Sequence, residues 1–375
     1  MWSKTKNVLF IIYSLEIGGA ERVMLELIKK SPQTHYKVHL VLLEKKGDFL
    51  KYLPEWIKIR GLGLQKKNPL TWARAFFRLR RILRNLKPVK IVSFLSNVNI
   101  FSYFSNLGFN FPHLCSERIS PEFYNDSKEF FKRPVYRLYL KILPQIYKKI
   151  NVLVVQNSEI ANKWQKLNVP SHLIRILPNG FDLKGIVAQS KKARLLDFPD
   201  KFNLVTLARL HPQKNPFIAL KVLKILKDKD IFWTWLGGGP LMSQLQKMVK
   251  KEGLSKNIRF VGSVSNPYPL LARADLFVLP SNYEGFPNAL VEAIALSVPV
   301  LVSDCPTGPA EILQHGKYGF LVPKNDPYAL AQSIVNCKNQ REQERINLTQ
   351  RARKSIERFD VNVVYSLWWD LILKR

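Results

Sequence analysis

LPSNYEGFPNALVEAIALSVPVL, residues 279–301, combines the end of a strand, a turn and a helix. The apolar residues 276–279 predict the strand, 283–287 predict a turn that contains Gly and Pro, and 288–296 predict the helix. Proline is tolerated in a first helical turn, because its missing N–H would have no partner there. The amides at this start, together with the positive end of the helix dipole, favour phosphate. The residues of this phosphate seat are Phe286, Pro287, Asn288 and Ala289.

Two carboxylates flank the phosphate seat. Glu284 lies in the turn, and Glu292 lies one turn into the helix. Carboxylates repel phosphate, but they accept hydrogen bonds from hydroxyl groups, as acidic residues do for ribose in dinucleotide-binding folds. The pattern therefore predicts a ligand with both phosphate and hydroxyl groups. On spacing alone, an ordinary turn and helix is an equal alternative, with Glu292 on a solvated face and Glu284 in a surface turn.

The motif YEGFPNALVEAIA resembles the E-x7-E signature of the retaining family-4 glycosyltransferases. In that family the first glutamate contacts the donor sugar and the second binds the ribose hydroxyls. The resemblance therefore implies these roles for Glu284 and Glu292. It also implies an α/β fold with two Rossmann-like doubly wound domains that face a cleft, the GT-B fold.

Length and composition agree with two domains. The chain has 375 residues, of which 46% are apolar and 11% aromatic, enough for two ordinary cores. Its three cysteines form neither a metal-binding pattern nor an even disulfide set, which favours a reducing compartment. The net charge of +31 is uneven, with +20 in residues 1–180 and +11 in residues 181–375. The first half is therefore expected to face an anionic partner.

The chain begins with a pattern similar to that around the signature. Residues 7–13 predict a buried parallel strand, SLEIGGAER follows, and a helix is predicted over 20–28. Gly18 and Gly19 would let a ligand approach the backbone, although a simple strand-to-helix turn is an equal alternative. GGAER also resembles the start of many bacterial family members, in which this loop lies over the donor phosphate and the acceptor.

Strand-like runs alternate with helical stretches along both halves, which predicts doubly wound parallel sheets. The segment LPNGFDL, residues 177–183, is typical of an interdomain linker. We therefore expect an acceptor-side domain over 1–177 and a nucleotide-sugar-binding domain over 178–360. By resemblance, the aromatic-rich helix predicted over 361–375 packs back on the first domain.

A second phosphate motif lies in ARLHPQKNP. Arg209 and Lys214 stand between a strand predicted over 203–208 and a helix predicted from Phe217, so both cations can converge on one anion. Two solvated cations in a loop are the alternative. The motif resembles the family's clamp on the donor diphosphate, which implies that role for Arg209 and Lys214.

Other ligand contacts are weaker expectations. By resemblance, the backbone of Gly262 and Val264 meets the nucleobase. In the final loop, which begins SDCPTGPAE, Asp304, Thr307 and Gly308 are expected to border the ligand. Asp228 and Asp230 have the Asp-x-Asp spacing of metal-dependent transferases. We expect no metal there, because the clamp and two helix starts already supply positive charge. The expected cofactor set is therefore empty, with the nucleotide sugar as substrate.

Acceptor-side candidates lie in CSERISPEFY. Resembling proteins carry Ser-Glu followed by histidine or arginine near the acceptor. Glu117 and Arg118 match this pattern, and the arginine removes any histidine-assisted role. A salt-bridged loop is an equal alternative.

Two basic segments predict contact with a membrane or with solvent. In TWARAFFRLRRILRNLK, the apolar residues Trp72, Phe76, Leu79, Leu83 and Leu86 follow helical spacing, and six cations take other faces. Residues 128–150 mix aromatic and basic side chains, including Phe130, Phe131 and Tyr139, and Pro134 and Pro144 are expected to divide them. Docking on an anionic bilayer and a merely solvated charged face are equal alternatives.

Together these patterns predict a metal-independent retaining hexosyltransferase. It would move a hexose or N-acetylhexosamine from a nucleotide sugar, expected to be UDP-linked, to a lipid-linked or cell-surface glycan. The expected location is cytoplasmic, peripheral on the inner face of the cell membrane. The alternative from another class is a non-catalytic basic protein that binds nucleic acid, as the charge would allow.

Overall fold

The computed structural model describes residues 6–16, 18–32, 36–65, 68–118, 120, 134–192, 196–227 and 230–374, with the backbone alone for 134–140. The chain divides into two compact units. Unit 1 comprises Met1–Gly180 and Asn362–Arg375, and unit 2 comprises Phe181–Val361.

In its described residues, unit 1 is built on a parallel sheet with the order β3-β2-β1-β4-β5-β6-β7. The strands are β1 (Lys6–Ile12), β2 (Tyr36–Leu42), β3 (Lys58–Gly61), β4 (Lys90–Phe94), β5 (His113–Ser116), β6 (Val152–Val155) and β7 (Ile174–Ile176). The helices are α1 (Gly19–Lys29), α2 (Pro69–Leu86), α3 (Ser96–Asn106), α4 (Pro134–Tyr147) and α5 (Ser158–Lys166).

The described part of unit 2 holds a second parallel sheet, with the order β10-β9-β8-β11-β12-β13. Its strands are β8 (Phe202–Leu207), β9 (Ile231–Leu236), β10 (Ile258–Gly262), β11 (Leu276–Leu279), β12 (Val300–Asp304) and β13 (Phe320–Pro323). Its helices are α6 (Leu183–Ser190), α7 (Phe217–Leu226), α8 (Met242–Lys251), α9 (Tyr268–Leu271), α10 (Asn288–Ala295), α11 (Pro309–Ile312), α12 (Pro327–Lys338) and α13 (Glu342–Ser355). A last helix, α14, spans Val361–Leu373.

Both sheets are central layers covered on each face, which explains their continuous apolar strands. Residues 8–12 of β1 are fully buried, as are both tryptophans of β9. The residues of α14 pack on unit 1, where Trp368 stacks on Phe94 with ring centroids 5.5 Å apart. The prediction of two doubly wound α/β domains is confirmed.

Helix α2 presents its predicted apolar stripe to the sheet, where Ala75, Leu79 and Leu83 are buried. Two of its arginines are also held by unit 1. Arg78 Nη1 donates to the Leu62 carbonyl at 2.8 Å, and Arg80 Nη1 donates to the Leu107 carbonyl at 2.7 Å. The apolar stripe is therefore not available to a bilayer, and Arg78 and Arg80 are not simply solvated.

The second basic segment differs from the prediction. Pro134 begins α4 and Pro144 lies inside it, so the prolines do not divide the segment over its described part. Ile146 and Tyr147 are buried in the core, and Phe130, Phe131 and the side chain of Tyr139 lie outside the described residues. No helix within the described ranges is long and apolar enough to span a bilayer.

Unit 1 buries two neutral histidines. Burial lowers the pKa of His39 to about 4, with Arg60, Lys58 and Lys37 adding to the effect. Its Nδ1 faces Arg60 Nη1 at 3.2 Å, so a second ring proton would meet a guanidinium. Burial also lowers the pKa of His113 to about 3.

We expect unit 1 to lose stability as the pH falls from about 6.5 towards 4. The unfolded chain takes up protons near pH 6.5, whereas the folded histidines stay neutral, so acid favours unfolding. The fully buried His113 would contribute at most about 1.4 kcal/mol per pH unit, and His39 less. Urea unfolding followed across this range should show the loss, and His113→Gln should flatten it. The exposed-site control His172→Gln should not, and an unchanged pH dependence in His113→Gln would contradict the assignment.

Candidate active site

The phosphate seat in unit 2 forms where β11 ends and α10 begins. Pro287 stands immediately before the helix, with φ −75° and ψ 90°, rather than in its first turn as predicted. Its extended ψ angle leaves Asn288 as the first helical residue. Leu290 already donates its amide to the Pro287 carbonyl at 3.1 Å. The helix start is therefore built around the amides of Asn288 and Ala289.

Glu284 is buried, with 3% of its surface exposed, which excludes the surface-turn alternative. Its carboxylate accepts from Lys214 Nζ at 2.5 and 2.7 Å and from the Ser281 hydroxyl at 2.5 Å. Its backbone carbonyl accepts from the Thr307 hydroxyl. Burial, followed by the Glu284 charge, raises the pKa of the Cys305 thiol to about 12. The carboxylate is therefore fixed in position and charge-compensated.

The loop that carries Lys214 is tied directly to the Glu284 loop. The Gln213 carbonyl accepts from the Asn282 amide at 2.8 Å, and Gln213 Nε2 donates to the Tyr283 carbonyl at 3.1 Å. Asn282 Nδ2 donates to the Pro212 carbonyl at 2.8 Å. These bonds bring together two motifs that lie about seventy residues apart in sequence.

The two predicted clamp cations have different environments. Lys214 is mostly buried against Glu284, whereas Arg209 is exposed after the carboxyl end of β8. The backbone around Arg209 is held by the triple-glycine turn, because the Gly238 carbonyl accepts from the Leu210 amide at 2.9 Å. Gly237 has φ +138°, and a Cβ there would overlap the Ala208 carbonyl. A role for Gly237 could have been suspected from FWTWLGGGPL, but nothing in the sequence shows which loop it supports.

Glu292 is also buried, with 6% of its surface exposed, so it does not lie on a solvated face. The Tyr268 hydroxyl donates to Glu292 Oε1 at 3.3 Å. Tyr268 belongs to the short helix α9, and no spacing in the sequence connects it with Glu292. The second glutamate is therefore oriented by a residue that the sequence does not indicate.

The remaining residues predicted to contact the ligand in unit 2 mainly pack or form hydrogen bonds within that unit. The Phe286 ring lies 5.4 Å from that of Phe359, and Val264 packs against the same core. The Gly262 carbonyl accepts from the Gly237 amide at 2.8 Å. Gly308 has φ +98°, and a Cβ there would lie 2.8 Å from Pro287 Cδ, so this position needs glycine.

Of the predicted neighbours of the ligand, Thr307 is buried against the Glu284 loop, whereas Asp304 is exposed. Of the Asp-x-Asp pair, Asp228 lies outside the described residues. Asp230 lies with Oδ2 3.7 Å from Lys338 Nζ.

In unit 1, Gly18 caps α1 in extended conformation and Gly19 is its first helical residue. The Glu21 carboxylate folds back to the position that a side chain on Gly18 would take. Burial raises the pKa of Glu21. A hydrogen bond to its own backbone and the charge of Arg118 act in the opposite direction and lower that pKa. Glu21 stands three residues after the cap, a spacing that could have indicated it. An anion at these amides would have to meet or displace this carboxylate.

Glu117 and Arg118 are buried at the carboxyl end of β5, and they are held by different partners. Glu117 Oε2 accepts from Tyr147 at 2.6 Å and from Ser96 at 2.7 Å. Arg118 Nη1 donates to Asn179 at 2.8 Å. Within the described residues, Glu117 is thus held by hydroxyl groups and Arg118 by a side-chain amide oxygen.

The Arg118 guanidinium also lies over two aromatic rings, 4.8 Å from the Phe94 centroid and 5.5 Å from that of Trp368. Its Nε and Nη2 are buried and have no hydrogen-bond partner among the described residues, and burial lowers its pKa to about 10. Buried donors are normally paired, so Arg118 offers two N–H groups to an anionic ligand.

Two family models match the chain, one in its first half and one in its second half. Residues 17–184 match Glycosyltransferase Family 4, and residues 188–355 match Glycosyl transferases group 1. Both matches are to transferases, so the alternative of a nucleic-acid-binding protein is not supported.

Two similar proteins of Campylobacter jejuni carry full functional names. One, GalNAc-alpha-(1->4)-GalNAc-alpha-(1->3)-diNAcBac-PP-undecaprenol alpha-1,4-N-acetyl-D-galactosaminyltransferase, is 25% identical over 376 residues, covering 98% of both chains. The other, N-acetylgalactosamine-N,N'-diacetylbacillosaminyl-diphospho-undecaprenol 4-alpha-N-acetylgalactosaminyltransferase, is 27% identical over 331 residues, covering 86% of this chain and 87% of its own.

Among solved structures, Anabaena HepE in complex with UDP and glucose aligns with a TM-score of 0.82 at 17% identity. The alignment covers 98% of this chain and 99% of HepE. At that identity the likeness shows the fold alone, and the fold is GT-B.

Lys214→Met should destabilise unit 2 by about 3 kcal/mol, the lower end for a buried pair because Lys214 is partly exposed, since it leaves the buried Glu284 carboxylate without its cation. Adding Glu284→Gln should restore part of that loss, since the uncompensated charge is removed. Urea unfolding of the single and double variants measures the coupling.

The matched control is the exposed pair Lys224–Glu252, whose atoms lie 3.1 Å apart in the same unit. Lys224→Met should cost less than about 1 kcal/mol. If Lys214→Met and Lys224→Met lowered the free energy of unfolding equally, burial would not make the Lys214–Glu284 ion pair more important for stability than an exposed pair.

Proposed function

Since the chain carries the two domains of a glycosyltransferase, we propose that it moves a hexose or N-acetylhexosamine from UDP to a lipid-linked glycan acceptor. The observation that carries the proposal is the buried Lys214–Glu284 pair beside the start of α10, tied together across two loops. A fixed cation, a fixed carboxylate and a helix start suit a ligand with both phosphate and sugar hydroxyls.

Each donor group is assigned a separate role. Lys214 and Arg209 bind the diphosphate with the amides of Asn288 and Ala289, Glu292 accepts from the ribose hydroxyls, and Glu284 accepts from the sugar. The UDP and glucose bound to HepE, which has the same fold, favour a UDP donor. The nucleobase is expected to lie along the backbone at Gly262 and Val264.

The proposed reaction is retaining and needs no metal. As the bond from the sugar to the phosphate breaks, negative charge grows on the diphosphate, and the two cations and the helix-start amides stabilise it. Lys214 is held by Glu284, so it needs little rearrangement to meet that charge. The departing phosphate oxygen accepts the proton of the acceptor hydroxyl, which attacks from the same face of the sugar. Glu284 acts by orientation, since Lys214 and Ser281 fix its carboxylate and leave acceptor capacity for a sugar hydroxyl.

The acceptor is proposed to be a glycan on a polyprenyl diphosphate. Both Campylobacter relatives are named for undecaprenol-linked acceptors. In unit 1, the two unpartnered N–H groups of Arg118 could bind an anionic group of the acceptor. Glu117, positioned by Tyr147 and Ser96, is expected to orient an acceptor hydroxyl.

The same unit is proposed to dock on the inner face of the cell membrane through the outward stripe of α2. This stripe repeats at intervals of four and three residues and contains Leu70, Arg74, Phe77, Arg81 and Arg84. Leu70 and Phe77 are each 68% exposed, unlike the apolar residues that face the core. Exposed apolar side chains between arginines suit the headgroup boundary of an anionic bilayer.

UDP should bind better than GDP, ADP or CMP. Arg209→Ala should lower kcat/KM by an amount that corresponds to about 2 to 4 kcal/mol of lost transition-state stabilisation. Arg209 is the cleaner clamp variant, because it is exposed and its loss should leave the fold intact. Glu292→Gln should chiefly weaken UDP binding. Transfer assays and UDP titrations measure these effects, with the exposed Lys221→Ala as control. Preferred binding of GDP or ADP would overturn the donor assignment, and loss of turnover in EDTA would overturn the metal-free mechanism.

Charge reversal of Arg74, Arg81 and Arg84 to glutamate should reduce binding to anionic vesicles by at least about a hundredfold. Each basic side chain near such a surface is worth about 1 kcal/mol. Flotation of nuclease-treated protein at low and high salt measures this, and Phe77→Ala should lower the salt-resistant part. The charge-matched control is Lys250, Lys251 and Lys256 to glutamate in unit 2. Equal losses in both triple variants would leave net charge rather than this stripe as the cause. Equal binding to neutral and anionic vesicles would exclude electrostatic docking by either.

A further inference from the structure

Unit 1 contains a cavity of about 460 Å³ at the edge of the sheet where its strands begin. Lys6, Tyr36, Lys90 and Val152 are the first residues of β1, β2, β4 and β6. The proposed chemistry uses the other edge, where the parallel strands end. The described residues that line this basal cavity are Lys6, Tyr36, Val89, Lys90, Pro112, Asn151, Val152, Arg175, Leu371, Ile372, Leu373 and Lys374.

Four cations and no carboxylate side chain are found among these lining residues. Lys90 is buried, with 8% of its surface exposed, and its ammonium donates to the Lys374 carbonyl at 3.1 Å. No described carboxylate forms an ion pair with Lys90. Burial lowers the pKa of Lys90. A buried ammonium is stable when it is paired, so within the described residues the site is electrostatically incomplete.

Capping of α14 explains part of this arrangement. Lys90 reaches a carbonyl just beyond the end of that helix, where the dipole supplies about half a negative charge. That half charge does not balance one ammonium, and it does not explain why Lys6, Arg175 and Lys374 line the same cavity. Cations that line one cavity repel one another, and an anion between them would relieve that repulsion.

The remaining walls are apolar, formed by Val89, Leu371 and Leu373 among others. We propose that the basal cavity binds a phosphate group, whose oxygens meet Lys6, Lys90, Arg175 and Lys374. The volume leaves room for an apolar substituent on the phosphate. The shared chemistry is that of a free phosphate or phosphate ester and of a phospholipid headgroup. Because the cavity contains none of the donor-site residues, this inference does not depend on the proposed transfer activity.

The test compares the full chain with the double variant Lys6→Gln/Arg175→Gln, whose altered residues are exposed and should not impair folding. Equilibrium dialysis with saturating UDP, which occupies the donor site, measures binding of inorganic phosphate, and flotation measures binding to phosphatidylcholine vesicles with and without phosphatidylglycerol. Two controls are Lys51→Gln, an exposed charge after β2, and Lys221→Ala, an exposed charge of unit 2. Lys90→Met is a second test, with its thermal unfolding recorded separately.

The double variant should lose at least tenfold in affinity for one of the two probes, while both controls keep it. Loss of inorganic phosphate binding identifies a free phosphate or ester as the source, and loss confined to phosphatidylglycerol vesicles identifies a lipid headgroup. If the double variant and folded Lys90→Met both bind the two probes as tightly as the wild-type chain, the proposal is overturned and Lys90 is only a helix cap. UDP binding should be unchanged in the double variant, so failure of this site and failure of the transfer proposal give different results.

Discussion

The arrangement of unit 2 depends on one buried ion pair. A carboxylate as enclosed as Glu284 needs compensation, and Lys214 and Ser281 supply it at 2.5 to 2.7 Å. Lys214 can do so only because its loop is bonded to the Glu284 loop through Gln213 and Asn282. The electrostatic requirement of a single side chain thus fixes the relative position of two loops, and with them the start of α10.

Unit 1 meets a similar requirement with hydroxyl and amide groups in place of a cation. Glu117 accepts from Tyr147 and Ser96, and Asn99 Nδ2 donates to the Tyr147 hydroxyl at 3.0 Å. Ser93 continues this chain to His113, so hydrogen bonds run along the length of β5. Arg118 lies at one end of it with two donors unused. Among the described residues, His113 Nδ1 and the Ser116 hydroxyl also lack a partner, so it is the charge of Arg118 together with its two donors that suits this end to an anionic ligand.

The sequence predicted the architecture well and the partners of the site residues less well. Apolar runs and Gly/Pro turns depend on local physics, so the parallel strands, the two doubly wound domains and the strand-turn-helix around Glu284 could be read directly. The pairing of Lys214 with Glu284, the hydrogen bond from Tyr268 to Glu292 and the anchoring of Arg78 are contacts between distant segments. No local spacing encodes them. Pro287 was placed one residue too far into its helix, as is common at helix ends.

The hydrogen bond from the Trp235 indole gives this chain a built-in optical probe. Trp235 is buried, and its Nε1 donates to the Ala208 carbonyl at 2.8 Å, one residue before Arg209. Indole emission responds to the field and the hydrogen bonding around its N–H group. Any rearrangement of the Arg209 loop would change both, so the fluorescence of the unlabelled protein should carry a signal from that loop.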